Sequence, residues 1–174
     1  FHPETLSPIT PSEQIEFLLR ALAARSENLL LIGANADVGH SSITNAVRRF
    51  VDGHSNARLA ASLPPNVFWS CLARASAMVG NSSSGVIEAA SFDLPAINIG
   101  QRQEGRIRPA NVIDVPFDSA EIAAGIDRAL SPAFRNSISG IPSPFGDGRA
   151  ASRILGVVRS LPNPQTLLLK REGA

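Results

Sequence analysis

Residues 78–88 read MVGNSSSGVIE, an apolar run followed by a small polar turn and the start of a helix. The run at 77–80 suits a short strand, and the helical pattern continues to Phe92. A helix N-terminus offers unpaired backbone N–H groups and the positive end of the helix dipole, which together favour an anion. Small side chains in the turn let that anion approach closely. The stretch therefore predicts a strand–turn–helix unit whose turn suits a negatively charged group.

The same alternation of strand and helix extends in both directions along the chain. Apolar runs predict strands at 29–32 (LLLI), 58–61, 77–80, 95–99 and 111–115. Helical periodicity predicts helices at 12–25, with Ser12 as N-cap, and at 41–52, 66–75, 119–130 and 149–161. This order predicts an α/β fold, a Rossmann-like doubly wound parallel sheet with helices on both faces and the LLLI strand buried on both sides. Ligands of such sheets bind at the carboxyl ends of the strands.

Length and composition limit the classes of protein that need to be considered. The 174 residues suit one domain, which we expect at 1–161 with a tail at 162–174. A net charge of +1, from 16 Lys+Arg and 15 Asp+Glu, gives no reason to expect a nucleic-acid or membrane surface. The single cysteine, Cys71, excludes an internal disulfide and favours a cytoplasmic location. Because the chain starts Phe1-His2-Pro3 without Met, we expect a fragment of a longer protein.

The serine turn has two interpretations on the residues alone. The hydroxyls of Ser82, Ser83 and Ser84 can bind phosphate oxygens, and Glu88, placed further along the crevice, can accept hydrogen bonds from a ribose diol. Alternatively, Ser84 is a helix cap and Glu88 is a first-turn carboxylate that favours the dipole. Capping turns are common, so the two interpretations are about equally good at this point.

A basic segment after the next predicted strand favours the ligand interpretation. Residues 101–106 read QRQEGR, which puts Arg102 and Arg106 at the same sheet edge as the serine turn. An arginine can grip a diphosphate with two parallel hydrogen bonds. We favour ligand contact for Arg102, whereas Arg106 suits ligand contact and loop stabilisation equally. Among the turn residues, Asn81 and Gly85 are further possible ligand contacts.

Taken together, these motifs resemble the signature of hydrolysing UDP-N-acetylglucosamine 2-epimerases, including the bacterial sialic-acid pathway type. Further segments match that family in the same order, so that the resemblance covers about residues 1–160. The matching segments are FHPET at 1–5, NADVG at 35–39, VGNSSSGVIE at 79–88, NIGQRQEGR at 98–106 and FGDG at 145–148. Non-hydrolysing bacterial relatives carry a Ser-Gly-Gly-type turn and an Arg-Thr-Glu-Arg-Pro-Glu-like segment, and this sequence has neither.

The resemblance implies a two-domain GT-B-type fold in which this chain is the second, UDP-binding domain. It also implies roles for individual residues: diphosphate binding by Ser82 and Ser83, ribose binding by Glu88, a UDP contact by Arg102, a loop position near the nucleotide for Asn35, and a place at the reaction centre for His2. On isolated evidence a lone terminal histidine is more often exposed than functional. Asp37 suits ligand contact and loop geometry equally well.

The implied reaction yields N-acetylmannosamine and UDP. In this family, proton removal at C2 and loss of UDP are followed by addition of water to the resulting glycal. The acid and base carboxylates lie in the other domain, so we expect no useful activity from this chain alone. No metal or redox cofactor is expected. The expected partners are a UDP-sugar, the missing N-terminal domain and further copies of the parent in a homo-oligomer.

Three alternatives remain open on the sequence. A hydrolysing epimerase could act on a modified UDP-sugar, such as a diacetamido-trideoxy sugar, because most sugar contacts are expected in the missing half. A GT-B glycosyltransferase domain also binds a nucleotide diphosphate with serine turns and a glutamate, although residues 101–106 argue against it. The third alternative is a binding module that holds a nucleotide without catalysis.

Overall fold

Strands and helices alternate along the chain, as the sequence predicts. The computed structural model describes residues 1–33 and 38–163, and it divides into two compact units, Phe1–Ile141 and Pro142–Ala174. The first unit contains α1 (Pro11–Ala23), β1 (Leu29–Ile32), α2 (His40–Gly53), β2 (Ala57–Ala60), α3 (Pro65–Leu72), β3 (Met78–Gly80), α4 (Ser83–Val86), a 3-10 helix (Ala89–Phe92), β4 (Ala96–Ile99), β5 (Val112–Val115), α5 (Ser119–Leu130) and α6 (Pro132–Ile138). The second unit contains α7 (Ala150–Ser160).

All strand pairs in the described part of the chain are parallel, which confirms the predicted α/β class. Strand β1 pairs with β2, and β4 lies between β3 and β5. The strands are therefore hydrogen-bonded as two sheets rather than as one continuous sheet. In the larger sheet, Met78 lies opposite Ala96, and Ala96 lies opposite Val112. This register brings the carboxyl ends of β3, β4 and β5 to one edge.

Strand β4 carries helices on both of its faces. Its side chains alternate from one face to the other, and all four residues are buried. Ile97 and Ile99 belong to the main hydrophobic cluster, which also holds buried residues of α1, α2 and α5. Ala96 belongs to a smaller cluster with Leu72 of α3 and Ala89 of the 3-10 helix. The helices thus cover both faces of this sheet.

The prediction that β1 is buried on both faces is wrong. Leu29 and Leu31 pack against the main cluster, whereas Leu30 is 49% exposed. Alternate side chains of a strand point to opposite faces, and among the described residues β1 pairs only with β2. One face of this small sheet therefore stays open to solvent.

Helix α1 is capped two residues earlier than predicted. Thr10, not Ser12, is the N-cap, because Pro11 occupies the first helical position, where proline is well tolerated. The Glu13 backbone N–H donates to Thr10 Oγ1 at 3.3 Å, and the Thr10 N–H donates to Glu13 Oε2 at 2.9 Å. This capping box also lowers the pKa of the Glu13 carboxyl, chiefly through the Thr10 hydroxyl.

Two further helices were not fully anticipated. Helix α6 was missed, although Ser131 caps it by accepting from the Phe134 N–H at 3.2 Å. Helix α7 was predicted, but its apolar stripe is exposed at Ile154, Val157, Val158 and Leu161. None of the described helices combines the length and apolar character that crossing a bilayer requires.

Gly100 ends β4 in a conformation that only glycine adopts easily. Its φ is 74°, and a Cβ at this position would collide with Glu4 Oε1 and lie 2.7 Å from ring atoms of Phe117. Gly105 has a similar φ of 77°, but no described atom lies within 4 Å of the corresponding Cβ position. A substitution at Gly105 therefore introduces backbone strain alone, whereas the same substitution at Gly100 introduces backbone strain and steric overlap.

We expect Gly100→Ala to lower the free energy of unfolding more than Gly105→Ala does. The left-handed backbone costs about 1–2 kcal/mol in both variants, and overpacking adds about 1–3 kcal/mol at Gly100 alone. Urea denaturation of both variants measures the difference. Equal losses of stability would contradict the close approach of Glu4 and Phe117 to Gly100.

Candidate functional site

The serine turn begins directly after β3. Gly80 has a φ of 145°, and the next residue, Asn81, is completely buried. Ser82 is the N-cap of α4, and its hydroxyl accepts a hydrogen bond from the Ser84 N–H at 3.3 Å. The alternative of a capping turn therefore holds for Ser82 rather than for Ser84. Ser83 and Ser84 lie in α4 itself and are partly exposed.

Asn81 holds the N-terminal segment against this turn. Its Oδ1 accepts a hydrogen bond from the His2 backbone N–H at 2.8 Å, and its Nδ2 donates to the His2 carbonyl oxygen at 2.8 Å. The side-chain amide thus pairs with both backbone polar groups of one residue. Because both polar atoms of the side chain are engaged and the residue is buried, Asn81 supports the turn from beneath. The structure brings His2 and the serine turn together.

The loop after β4 brings Arg102 to the same place. The Arg102 guanidinium donates through Nη1 to the carbonyl oxygen of Asn81 at 3.3 Å. Its backbone N–H donates to Glu4 Oε1 at 2.8 Å, and its side chain is exposed. Gln103, which is 1% exposed, donates through Nε2 to the same Asn81 oxygen at 2.8 Å. A positive charge therefore lies beside the serine turn, as the sequence predicts.

Arg108 is the arginine that stabilises this loop, and sequence reasoning missed it. Its Nη1 donates to the Gln103 carbonyl oxygen at 2.6 Å, and its Nε donates to Asp114 Oδ2 at 3.0 Å. The other oxygen of Asp114 accepts from Asn98 Nδ2 at 2.6 Å. Asn98 and Asp114 are register partners in β4 and β5, a signal that becomes visible only once the strands are paired. Arg106 is exposed, and its guanidinium has no hydrogen-bond partner among the described residues.

Glu88 lies beyond the end of α4, which runs only to Val86. It therefore does not occupy the first turn of that helix, as the capping interpretation requires. It precedes the 3-10 helix without capping it through its side chain. Within the described part of the chain, its Oε2 is buried and has no hydrogen-bond partner. A buried acceptor without a donor is costly, so this oxygen suits a ligand hydroxyl.

The remaining predicted ligand contacts are Asn35, Asp37 and Gly85. Asn35 and Asp37 fall outside the described residues. Gly85 lies in α4, where an added Cβ would make ordinary contacts with Ala96 and Met78. In residues 1–33 and 38–163, no three side chains of His, Cys, Asp or Glu are grouped closely enough to hold a metal ion.

Glu4 and Gln14 also belong to the site, although the sequence did not single them out. Gln14 is completely buried, and its side chain accepts from the Glu4 N–H at 2.9 Å and donates to the Glu4 carbonyl oxygen at 3.1 Å. Glu4 in turn contacts the Arg102 backbone. A glutamine inside a helical apolar stripe is the one feature that could have indicated such a contact.

The parallel strands, the helices on both faces of the larger sheet and the polar turn at its carboxyl edge define a Rossmann-like α/β domain of the GT-B type. The solved structure of S. aureus MnaA with UDP has the same fold, with a TM-score of 0.70 at 16% identity over 99% of this chain and 47% of that one.

Sequence comparison assigns the family. The family model described as UDP-N-acetylglucosamine 2-epimerase matches residues 1–159, and the chain belongs to this family. The polysialic acid biosynthesis protein P7 of Escherichia coli is 33% identical over 91% of this chain and 41% of its own length. A UDP-N,N'-diacetylbacillosamine 2-epimerase (hydrolyzing) of Legionella pneumophila is 32% identical over 98% of this chain and 44% of its own length. The chain thus spans less than half the length of these two relatives.

We expect Gln103→Leu to lower the free energy of unfolding by about 1–2 kcal/mol, because the buried Asn81 carbonyl loses its shorter hydrogen bond. Gln101→Leu is the matched control, since Gln101 is exposed in the same loop and should change stability by less than about 0.5 kcal/mol. Denaturant titration compares the two variants. A Gln103→Leu variant as stable as the control would show that this hydrogen bond does not hold the loop.

Proposed function

We propose that this chain is the UDP-binding half of a hydrolysing UDP-N-acetylglucosamine 2-epimerase that yields N-acetylmannosamine and UDP. The observation that carries the proposal is the 3.3 Å hydrogen bond from the Arg102 guanidinium to the carbonyl oxygen of Asn81, the residue before Ser82. It sets an exposed positive charge beside serine hydroxyls at the carboxyl edge of a parallel sheet. Diphosphates are bound by this combination of groups.

The nucleotide would make two kinds of contact. Ser82, Ser83, Ser84 and Arg102 would hold the diphosphate, and Asn35 would contact the nucleotide. Further candidate contacts are Asp37, Asn81, Gly85 and Arg106. The unpartnered Glu88 Oε2 would accept a hydrogen bond from a ribose hydroxyl. This contact would relieve the cost of burying an acceptor without a donor.

The chemistry needs groups that this chain does not supply by itself. A base removes the proton at C2, the bond between C1 and the UDP oxygen breaks, and the electron pair of the C2–H bond forms the C1=C2 double bond. Water then adds across that double bond and releases the free sugar. His2 would line the reaction centre, and the acid and base carboxylates would come from the other half of the parent.

The remaining half of the parent is therefore the first partner that we propose. Relatives more than twice as long as the matched region support it. The exposed apolar stripe of α7 supports it as well, because helices with one apolar face normally pack that face against another element. A homo-oligomeric parent, a cytoplasmic location and a boundary near residue 161 stay predictions.

A second substrate is favoured by one specific observation. The Legionella pneumophila relative is named for a diacetylbacillosamine sugar, which is a modified UDP-sugar of the diacetamido-trideoxy type. The family match speaks against a glycosyltransferase. The choice between the two UDP-sugars depends on sugar contacts that we assign mainly to the other half.

Calorimetric titration of this chain with UDP tests the nucleotide site. We expect Ser82→Ala, Ser83→Ala and Arg102→Ala each to weaken binding by about 1.5–3 kcal/mol, because each loses a hydrogen bond to a charged phosphate, which is roughly tenfold or more in affinity. Ser83→Ala is included because Ser82 also caps α4, so the Ser82 variant alone would combine two effects.

Arg74→Ala is the charge-matched control for Arg102→Ala. Arg74 is exposed and precedes β3, at the opposite edge of the sheet from the serine turn. It should leave UDP affinity unchanged. If UDP binds clearly and all three site variants keep the wild-type affinity, the assigned site is wrong and the motif is only a helix cap.

Turnover by the full-length parent tests the reaction and the substrate. We expect release of UDP and N-acetylmannosamine from UDP-N-acetylglucosamine, and no release by this 174-residue chain alone, because we assign the groups that move the proton to the other half. Product analysis by NMR distinguishes the possibilities. Hydrolysis of UDP-N,N'-diacetylbacillosamine alone would establish the second candidate, and a product that keeps its UDP would exclude the hydrolysing reaction.

A further inference from the structure

The N-terminal segment Phe1–Glu4 is fastened to the candidate diphosphate site at two points. At the first point, the His2 backbone pairs with the Asn81 side chain through two hydrogen bonds of 2.8 Å. At the second point, the Glu4 carboxylate accepts from the Arg102 backbone N–H at 2.8 Å. Gln14 holds the Glu4 backbone from the other side. The segment that carries His2 is therefore attached to the same residues that would bind the nucleotide.

Asn81 is the residue through which these contacts meet. Its side chain binds His2, while its carbonyl oxygen accepts from Arg102 and Gln103 at 3.3 and 2.8 Å. Its neighbour Ser82 begins the turn. Asn81 is completely buried, so water cannot replace the partners of its side chain without local opening.

We propose that Asn81 is a positioning residue that couples occupation of the diphosphate site to the placement of His2. The inference rests on the proposed function, because it assumes that a diphosphate binds at Ser82 and Arg102. A diphosphate would draw the Arg102 guanidinium and the serine turn towards itself. The backbone of Asn81 is linked to both, because its carbonyl oxygen accepts from Arg102 and because Ser82 is the next residue. The Asn81 side chain transmits this change to the His2 backbone.

The coupling must act in both directions. If nucleotide binding stabilises the contact between His2 and Asn81, then an intact contact must strengthen nucleotide binding by the same factor. The hydrogen bond from Gln103 Nε2 maintains this coupling, because it still holds the Asn81 carbonyl oxygen in place when the Arg102 guanidinium turns towards phosphate. Asn81 itself need not touch the ligand.

Hydrogen exchange of the His2 backbone amide, followed by NMR with and without UDP, tests the coupling on this chain. In the wild type we expect saturating UDP to slow exchange of this amide by about fivefold or more, a typical size for coupling between two sites. In Asn81→Ala we expect fast exchange that UDP no longer changes. The wild-type comparison requires no variant to fold.

Asn56→Ala is the matched control. Asn56 also makes two side-chain hydrogen bonds, to the carbonyl oxygens of Arg25 at 3.0 Å and Glu27 at 2.7 Å, at the amino end of β2. It should lower stability while leaving the response of His2 to UDP intact. A response lost equally in both variants would overturn the specific role of Asn81.

The possible failures are distinguishable. If UDP binds and the His2 amide of the wild type does not respond, the coupling is absent while the proposed function stands. If no UDP binds at millimolar concentration, the proposed function falls and the inference with it. A full-length parent adds a kinetic readout: Asn81→Ala should lower kcat by about 10- to 100-fold, the size expected for a misplaced reacting group, with a much smaller change in KM.

Discussion

Every contact in the candidate site depends on the burial of β4 between two parallel neighbours. All four of its residues are buried, and it hydrogen-bonds to β3 on one side and β5 on the other. Because the three strands are parallel, their carboxyl ends lie at one edge of the sheet, and the loops that follow the strands begin at that edge. The serine turn after β3 and the arginine loop after β4 are neighbours for this reason alone.

The loop after β4 divides its arginines between two tasks. Arg108 is occupied by Asp114 and by the Gln103 carbonyl oxygen, so its charge is partly neutralised and its side chain is held. Among the described residues, the Arg102 guanidinium hydrogen-bonds only to a neutral carbonyl oxygen, and Arg102 remains exposed. A loop that is stiffened by one arginine can present another to an anion with little loss of conformational freedom on binding.

Local patterns in the sequence predicted the strands and most of the helices, although not α6, and they were insufficient for the contacts between the elements. The runs Leu29–Ile32 and Ser119–Leu130 were predicted with the boundaries that the structure shows, because apolar periodicity is a local signal. The N-cap at Thr10 was missed because a proline at the first helical position overrides the choice of Ser12. Arg108 was missed because its partner, Asp114, becomes its neighbour only through strand pairing. The motifs singled out Ser82, Arg102 and His2 as candidates because motifs carry information that periodicity does not, yet only the folded chain reveals that Asn81 joins them.

Asn81 holds residue 2 through the backbone N–H and the carbonyl oxygen of that residue. Such a grip is indifferent to which amino acid is being held, since every residue except proline offers the same N–H and carbonyl oxygen. The scaffold therefore separates the task of holding this position from the task of choosing its chemistry. A different side chain at position 2 would leave these two backbone hydrogen bonds available, so the chemistry at this point of the fold can change without a change in Asn81.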